Sequence, residues 1–372
     1  MSGLSECGEA GNVVDVDDRR LQRSSRGQNR WPLRDGVVVT RPEHADEMRI
    51  GEPLRLRPVL DPKPWGGRRL ERYGKQLPDG PIGESLESGN ESLIEGGRFD
   101  GMTLGQLANE RPGRLLGAQG MRAAGEIGGF PLLVKLIDAQ QDLSIQVHPS
   151  DDLAPPGSRG KTEAWLILEA DAGGNLVTGV SETIDIARIE EQLVREQVQR
   201  GDVLFVEAGT VHAIGAGVML YEVQQASDIT YRLYDWGRPR ELHLKRGLEA
   251  AVPDRRAHHV APLQRAAGTD VLVACRHFLL ERWIINGATP VAADRQSCQV
   301  LTVIDGSVSL DGLDLRCGDS VVLPADLPET RLAGEAVVLI ASIPDLESDV
   351  IGPLRAAGHS DAAIRDLGVD RG

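Results

Sequence analysis

The sequence predicts a mainly β protein with helical insertions, built as two jelly-roll barrels, one intact and one degenerate. Three observations carry this. Short apolar or alternating runs bounded by Gly, Pro and Asp recur from Leu54 to Leu323, as expected of many short strands. Two of them, Leu143–His148 and Lys161–Leu168, place polar side chains two apart on one strand face. A glycine-rich turn pattern at 201–215 recurs, altered, at 318–329, which reads as an internal repeat.

The chain has 372 residues, enough for two domains with a sizeable core. Hydrophobic residues make up 41% and aromatics only 3%, so the cores must rest on Leu, Val, Ile and Ala. The formal net charge of -15 argues against nucleic acid or an anionic membrane as partner. An anionic small substrate needs a local basic pocket on such a protein. Cys7, Cys275, Cys298 and Cys317 form no CxxC pair and read as reduced thiols of a cytoplasmic protein. No apolar run reaches transmembrane length, and no signal-peptide core follows Met1.

Residues 1–48 are polar and aperiodic and are expected to be a disordered extension. A domain over 49–251 follows, opening with a strand at Leu54–Val59. Trp65–Leu70 reads as a tight loop into a short helix, and Gly83–Ser88 as the start of a strand. Residues 102–125 carry leucines among charges and read as a small helical insertion. Leu132–Ile137 is a continuous apolar run, hence a buried strand.

On the next strand, Ser144, Gln146 and His148 share a face, and Pro149 stops the ladder. Lys161 and Glu163 share a face on the strand after it. An imidazole, an amide oxygen, a carboxylate and an ammonium can thus meet in one cavity. His, Glu and amide oxygen form a mixed N/O ligand set that suits zinc better than calcium or a thiolate cluster. The bland alternative is a half-exposed polar strand with one satisfied histidine.

An amphipathic helix is expected over Asp185–Gln197. Gly201, Gly209 and His212 then fall at the spacing of the second cupin motif, with Glu207 in place of its proline and Ala216 of its asparagine. The glycines turn the chain and leave His212 pointing into the barrel. Val218–Gln224 is the next strand, with Glu222 and Gln224 on one face. Ser227–Arg238 brings Arg232 and Arg238 near the same barrel, and residues 240–251 close the domain as loop and helix.

A linker is expected over 252–268 and a second β unit over 269–345. Its strands are read at His277–Ile284, Val300–Ile304, Ser307–Leu310 and Ser320–Leu323. Gly318–Asp326 repeats the cupin spacing, but Asp326 replaces a glycine and Glu329 stands where the histidine belongs. This copy is therefore expected to lack a metal. Residues 346–372 read as a tail with a short helix from about Ser360.

Taken together, the blocks WGGRRL, IGESLE, PLLVKLIDAQQDLSIQVHP, GKTEAW, GDVLFVEAGTVHAIGAG, YEVQQASDITYRLYDWGR and RELHLKRGLEA resemble type I mannose-6-phosphate isomerases. The likeness is to the short bacterial form and runs from about Pro58 to Ile343. It implies a cupin fold whose first barrel binds one zinc ion per chain through Gln146, His148, Glu163 and His212. It implies a sugar phosphate as partner, with Lys135, Ser144, Lys161, Glu222 and Arg232 lining its pocket and Arg238 nearby. Leu86 departs from the family, which usually has tryptophan there.

The implied reaction interconverts mannose 6-phosphate and fructose 6-phosphate through a cis-enediol. Arg232, Glu222 and Lys161 are the expected catalytic residues, with Glu222 the first choice of base and Lys161 the second. Ser144, Lys135 and Arg238 are expected to bind substrate. His243 is expected to be structural. The expected assembly is a monomer or homodimer. Two rivals stay open: another metal-dependent cupin enzyme, and a sugar-phosphate-binding cupin without catalysis.

Overall fold

A computed structural model of the protein describes residues 49–291 and 296–371. The expected disordered extension at 1–48, and Cys7 within it, lie outside the described residues. The described chain is mainly β with helical insertions, and two antiparallel sheets dominate it.

The first sheet has seven strands. In spatial order they are His258–His259, Val203–Val206, Glu163–Ala170, Val218–Gln225, Leu132–Ala139, Val59–Gly67 and Ile82–Ser88. Leu132–Ala139 is central and covered on both faces, which is why its sequence is a continuous apolar run rather than an alternating one. Its two charged residues are both paired. Lys135 Nζ lies 2.9 Å from Glu84 Oε2. Asp138, fully buried, accepts from Arg69 N at 2.7 Å and Arg69 Nε at 2.8 Å. Gly67 allows this approach, because a Cβ there would stand 2.5 Å from Asp138 Oδ2.

Two small sheets flank this one. Ala213–Ile214, Asn175–Val180 and Leu193–Gln197 form one, and Ile145–Val147 pairs with Tyr231–Tyr234 in the other. The second large sheet has nine strands and is built mostly from residues 263–342, around the long strands Leu279–Val291, Thr330–Ser342 and Gln299–Leu310.

Several expectations need correcting. The helix expected over Asp185–Gln197 is helical only across Ile186–Gln192, after which Leu193–Gln197 pairs with Asn175–Val180. Gln192 closes that turn by accepting from Asp185 N and donating to Thr183 O, so the apolar spacing served a turn and a strand. Trp65-Gly66-Gly67 ends a strand instead of forming a loop, and the helical turn begins at Arg69. Residues 252–268, expected as a linker, contain the strands His258–His259 and Leu263–Ala266. Strands at Thr269–Ala274, Leu313–Arg316 and Thr330–Ser342 were not anticipated.

The first strand, Leu54–Arg57, joins the second sheet: Leu54 pairs with Val322 and Leu56 with Ile94. Asp326 serves the same junction, since its carboxylate accepts from Ile50 N and Gly51 N. The helical insertion is as expected, with helices Leu104–Glu110, Pro112–Leu115 and Gly117–Ala124. Thr103 and Gln106 form a capping box at its start. Ser360 caps the expected late helix, Asp361–Ile364.

Candidate metal centre and its cavity

Three separate segments bring their side chains to one buried point. Strand Ile145–Val147 carries Gln146 and leads to His148. Glu163 opens the strand Glu163–Ala170. His212 precedes Ala213–Ile214 and is tied to Gln146 by two backbone bonds, Gln146 N to His212 O at 3.0 Å and His212 N to Gln146 O at 2.9 Å. Gly209 makes the turn before His212 with φ of +87°, and a Cβ there would lie 2.6 Å from Val252 Cγ2. Its amide donates to His148 O at 2.7 Å, so the same turn braces the other histidine.

The ligand atoms of His148, Glu163 and His212 all lie within 4.8 Å of one another. His148 Nε2 is 3.5 Å from Glu163 Oε2, and His212 Nε2 is 3.2 Å from Glu163 Oε1. Glu163 is fully buried. The tautomers follow from the other ring nitrogens. His148 Nδ1 donates to Ile229 O at 2.8 Å, and His212 Nδ1 donates to Thr210 O at 2.9 Å. A backbone carbonyl only accepts, so each Nε2 presents a lone pair.

Two lone pairs therefore face a carboxylate that also only accepts, and Glu163 Oε1 has no aligned donor. Such a cluster calls for a cation, and the donor set fits a divalent ion of the zinc type. Gln146 lies 3.5 Å and 3.3 Å from the two Nε2 atoms through its amide. An amide's oxygen and nitrogen are nearly interchangeable in shape, so Gln146 has a fourth ligand atom to offer.

Electrostatics agree. Burial, and then the Lys161 ammonium, hold the His148 imidazole well below its ordinary value, which keeps it neutral and able to ligate. Burial works to raise the Glu163 carboxyl, but its charged surroundings, the Lys161 ammonium first, outweigh burial and hold it well below its ordinary range. Lys161 Nζ lies 2.6 Å from Glu163 Oε2.

A cavity of about 280 Å³ opens beside this centre. Ser144, Gln146, Lys135, Lys161, Glu222 and Arg232 line it, so six of the ten predicted site residues reach one chamber and the other three predicted ligands stand beside it. Glu222 is buried; its Oε2 accepts from Trp165 Nε1 at 3.0 Å and its Oε1 has no partner. Burial raises its carboxyl above the ordinary range; Lys161 opposes that shift and Glu163 adds to it. Arg232 Nη1 donates to Glu241 O at 2.8 Å, while its buried Nε has no partner. His243 supports the Arg232 backbone by accepting from Arg232 N at 3.2 Å.

Arg238 does not line the chamber. Its guanidinium is bound to Asp235 at 3.2 Å and to Asp142 O at 2.8 Å. Arg240 lines it instead, together with Lys63 and Glu84, none of which the sequence singled out. A larger cleft of about 530 Å³, between the helical insertion and the turn at Arg276–His277, holds none of the predicted residues.

No family model matches the chain. It is 32% identical over 321 residues to mannose-6-phosphate isomerase ManA of Bacillus subtilis, covering 78% of this chain and 99% of that protein. Over 317 residues it is 31% identical to mannose-6-phosphate isomerase of Streptococcus mutans, covering 78% and 98%. The crystal structure of the mannose 6-phosphate isomerase from Bacillus subtilis matches with a TM-score of 0.70 at 31% identity, covering 78% of this chain and 99% of that one. A putative mannosephosphate isomerase from Archaeoglobus fulgidus shares the fold, with a TM-score of 0.62 at 23% identity. Fold, site and relatives together define a sugar-phosphate isomerase. The chain belongs to the mannose-6-phosphate isomerase family.

Proposed function

We propose that the protein interconverts mannose 6-phosphate and fructose 6-phosphate, with one zinc ion per chain held by Gln146, His148, Glu163 and His212. The carrying observation is the pair of lone-pair-bearing imidazoles facing the Glu163 carboxylate at the base of a cation-lined chamber. When bound, zinc supplies a Lewis acid or template for the sugar oxygens. We read the two sheet systems as cupin barrels, the first holding this centre and the second without metal. The absence of a paired cysteine among the described residues suits a cytoplasmic setting.

The chain's own residues account for the proton traffic. Glu222 takes the C2 proton of mannose 6-phosphate and returns it to C1, while the O2 hydroxyl proton moves to O1. A cis-enediol lies between the two transfers. The raised carboxyl of Glu222 suits a base for a carbon acid near neutral pH. Arg232 sets a positive charge near the developing oxyanion. Lys161, Lys135 and Ser144 order the sugar.

Metal analysis and a coupled assay test this together. The wild type should carry one zinc per chain and turn over mannose 6-phosphate; His212→Ala should lose both. Full metal in that variant removes His212 from the ligand set. A zinc-loaded wild type that binds sugar phosphate without turnover is a binding protein, not an isomerase of this substrate.

A further inference from the structure

The chamber holds its cations in two different states. Each ammonium is already matched by a carboxylate: Lys161 by Glu163 at 2.6 Å, Lys135 by Glu84 at 2.9 Å and Lys63 by Asp61 at 2.7 Å. The two guanidiniums are different. Arg232 meets a backbone carbonyl and has a buried Nε without a partner. Arg240 is gripped from one side only, Nε to Asp235 Oδ2 at 2.6 Å and Nη2 to Asp235 Oδ1 at 2.7 Å, which leaves Nη1 outside the clamp. Asp235 is itself buried and also takes Arg238, so one carboxylate serves two guanidiniums.

Placement adds direction. Glu163 and the imidazoles form the closed end of the chamber, with Glu163 fully buried. The Arg240 side chain lines the same chamber and is 29% exposed, so it lies nearer solvent than that end; the exposed Asp228 shares the lining. A sugar phosphate reacts at C1 and C2 and carries its strongly hydrated dianion at the other end of the molecule. With the reacting carbons at the closed end, the dianion falls among the arginines. A guanidinium fixed by a two-bond fork keeps its remaining donors aimed, which suits phosphate.

We propose that Arg240 is a phosphate-binding residue of this chamber and that Asp235 is its positioning residue. This rests on the isomerase reading above and assigns the substrate's charged end. Asp235 acts on the phosphate only through Arg240, since Arg238, its other partner, does not line the chamber. Its fork replaces the freedom of a long side chain with one orientation, so the dianion meets a donor already in place.

The test uses the full-length, zinc-loaded protein and two readouts. In steady-state assays with mannose 6-phosphate, Arg240→Gln should raise KM at least tenfold with kcat within about threefold, a binding loss rather than a chemical one. Asp235→Asn should shift KM in the same direction by a smaller factor. The double variant should be no worse than Arg240→Gln alone, because Asp235 then has no phosphate donor left to position. Arg240→Lys should recover part of the KM loss. Calorimetry with inorganic phosphate supplies an activity-independent readout: Arg240→Gln should weaken its binding at least fivefold at unchanged zinc content. A KM within twofold of wild type in Arg240→Gln, or unaltered phosphate binding, overturns the role of Arg240. Fully additive effects in the double variant overturn the role of Asp235. A wild type that binds phosphate through Arg240 but turns over no mannose 6-phosphate sinks the isomerase reading and leaves the anion site standing.

Discussion

Glu222 Oε1 is a buried carboxylate oxygen that no donor reaches, while its twin is held by Trp165. A group in that state is costly to keep charged and ready to accept a proton. Glu222→Gln retains the Trp165 contact and removes the proposed base, so kcat should fall about 10²–10⁴-fold with bound metal unchanged. Steady-state kinetics with metal analysis check this. Glu222 was readable because it alternates with Gln224 on a strand, as were Gln146 and His148 on theirs. Arg240 was not readable. In Arg238-Pro239-Arg240-Glu241 it looks like part of a solvated charged run. The deciding features are Trp236 and Gly237, with φ of +53° and +76°, which swing the chain so that Arg238 faces Asp142 and Arg240 faces the chamber. Nothing local in the sequence announces a non-glycine residue in that conformation.

Strand Leu132–Ala139 shows how an element is set by its exceptions. Its apolar run identified it as buried, but Asp138 ties it to the helical turn that begins at Arg69. Asp138→Ala leaves the buried Arg69 guanidinium with two carbonyls and the exposed Asp171 carboxylate at 3.6 Å, and should cost about 3–5 kcal/mol in denaturant unfolding. The turn at Arg276–His277 gives a pH signature. Burial pushes the His277 imidazole down to about 4; Asp151 opposes this and Arg276 reinforces it. The unfolded chain therefore binds this proton first, near the ordinary value of about 6.5. The contribution of His277 is present in full above that pH and is lost as pH falls toward 4. His277→Asn should flatten the unfolding midpoint across that window. Elements were less legible where period and length conflict: Asp185–Gln197 has helical spacing, yet Leu193–Gln197 finds an open strand edge, and pairing prevails over local preference.

At the scale of the whole molecule, the sequence separates a first and a second β unit, and the chain crosses that division at its start. Leu54–Arg57 lies between Ser320–Leu323 and Leu93–Ile94, with Leu54 and Leu56 both buried. Leu56→Ala should cost about 2–4 kcal/mol, and a single cooperative transition should shift as a whole if the two sheets unfold together. Chemical denaturation followed by near-UV and far-UV signals reads both. That long-range pairing was invisible beforehand, because a four-residue strand carries no mark of its partner. The clusters of chemistry were visible, because ligand spacing is local to each strand even when the strands are not.

The Leu54–Val322 pairing has a consequence during synthesis. This N-terminal segment leaves the ribosome long before Ser320–Leu323 has been translated. Until then one of its edges has no native neighbour, and the nascent chain must shelter that edge or lend it to another protein.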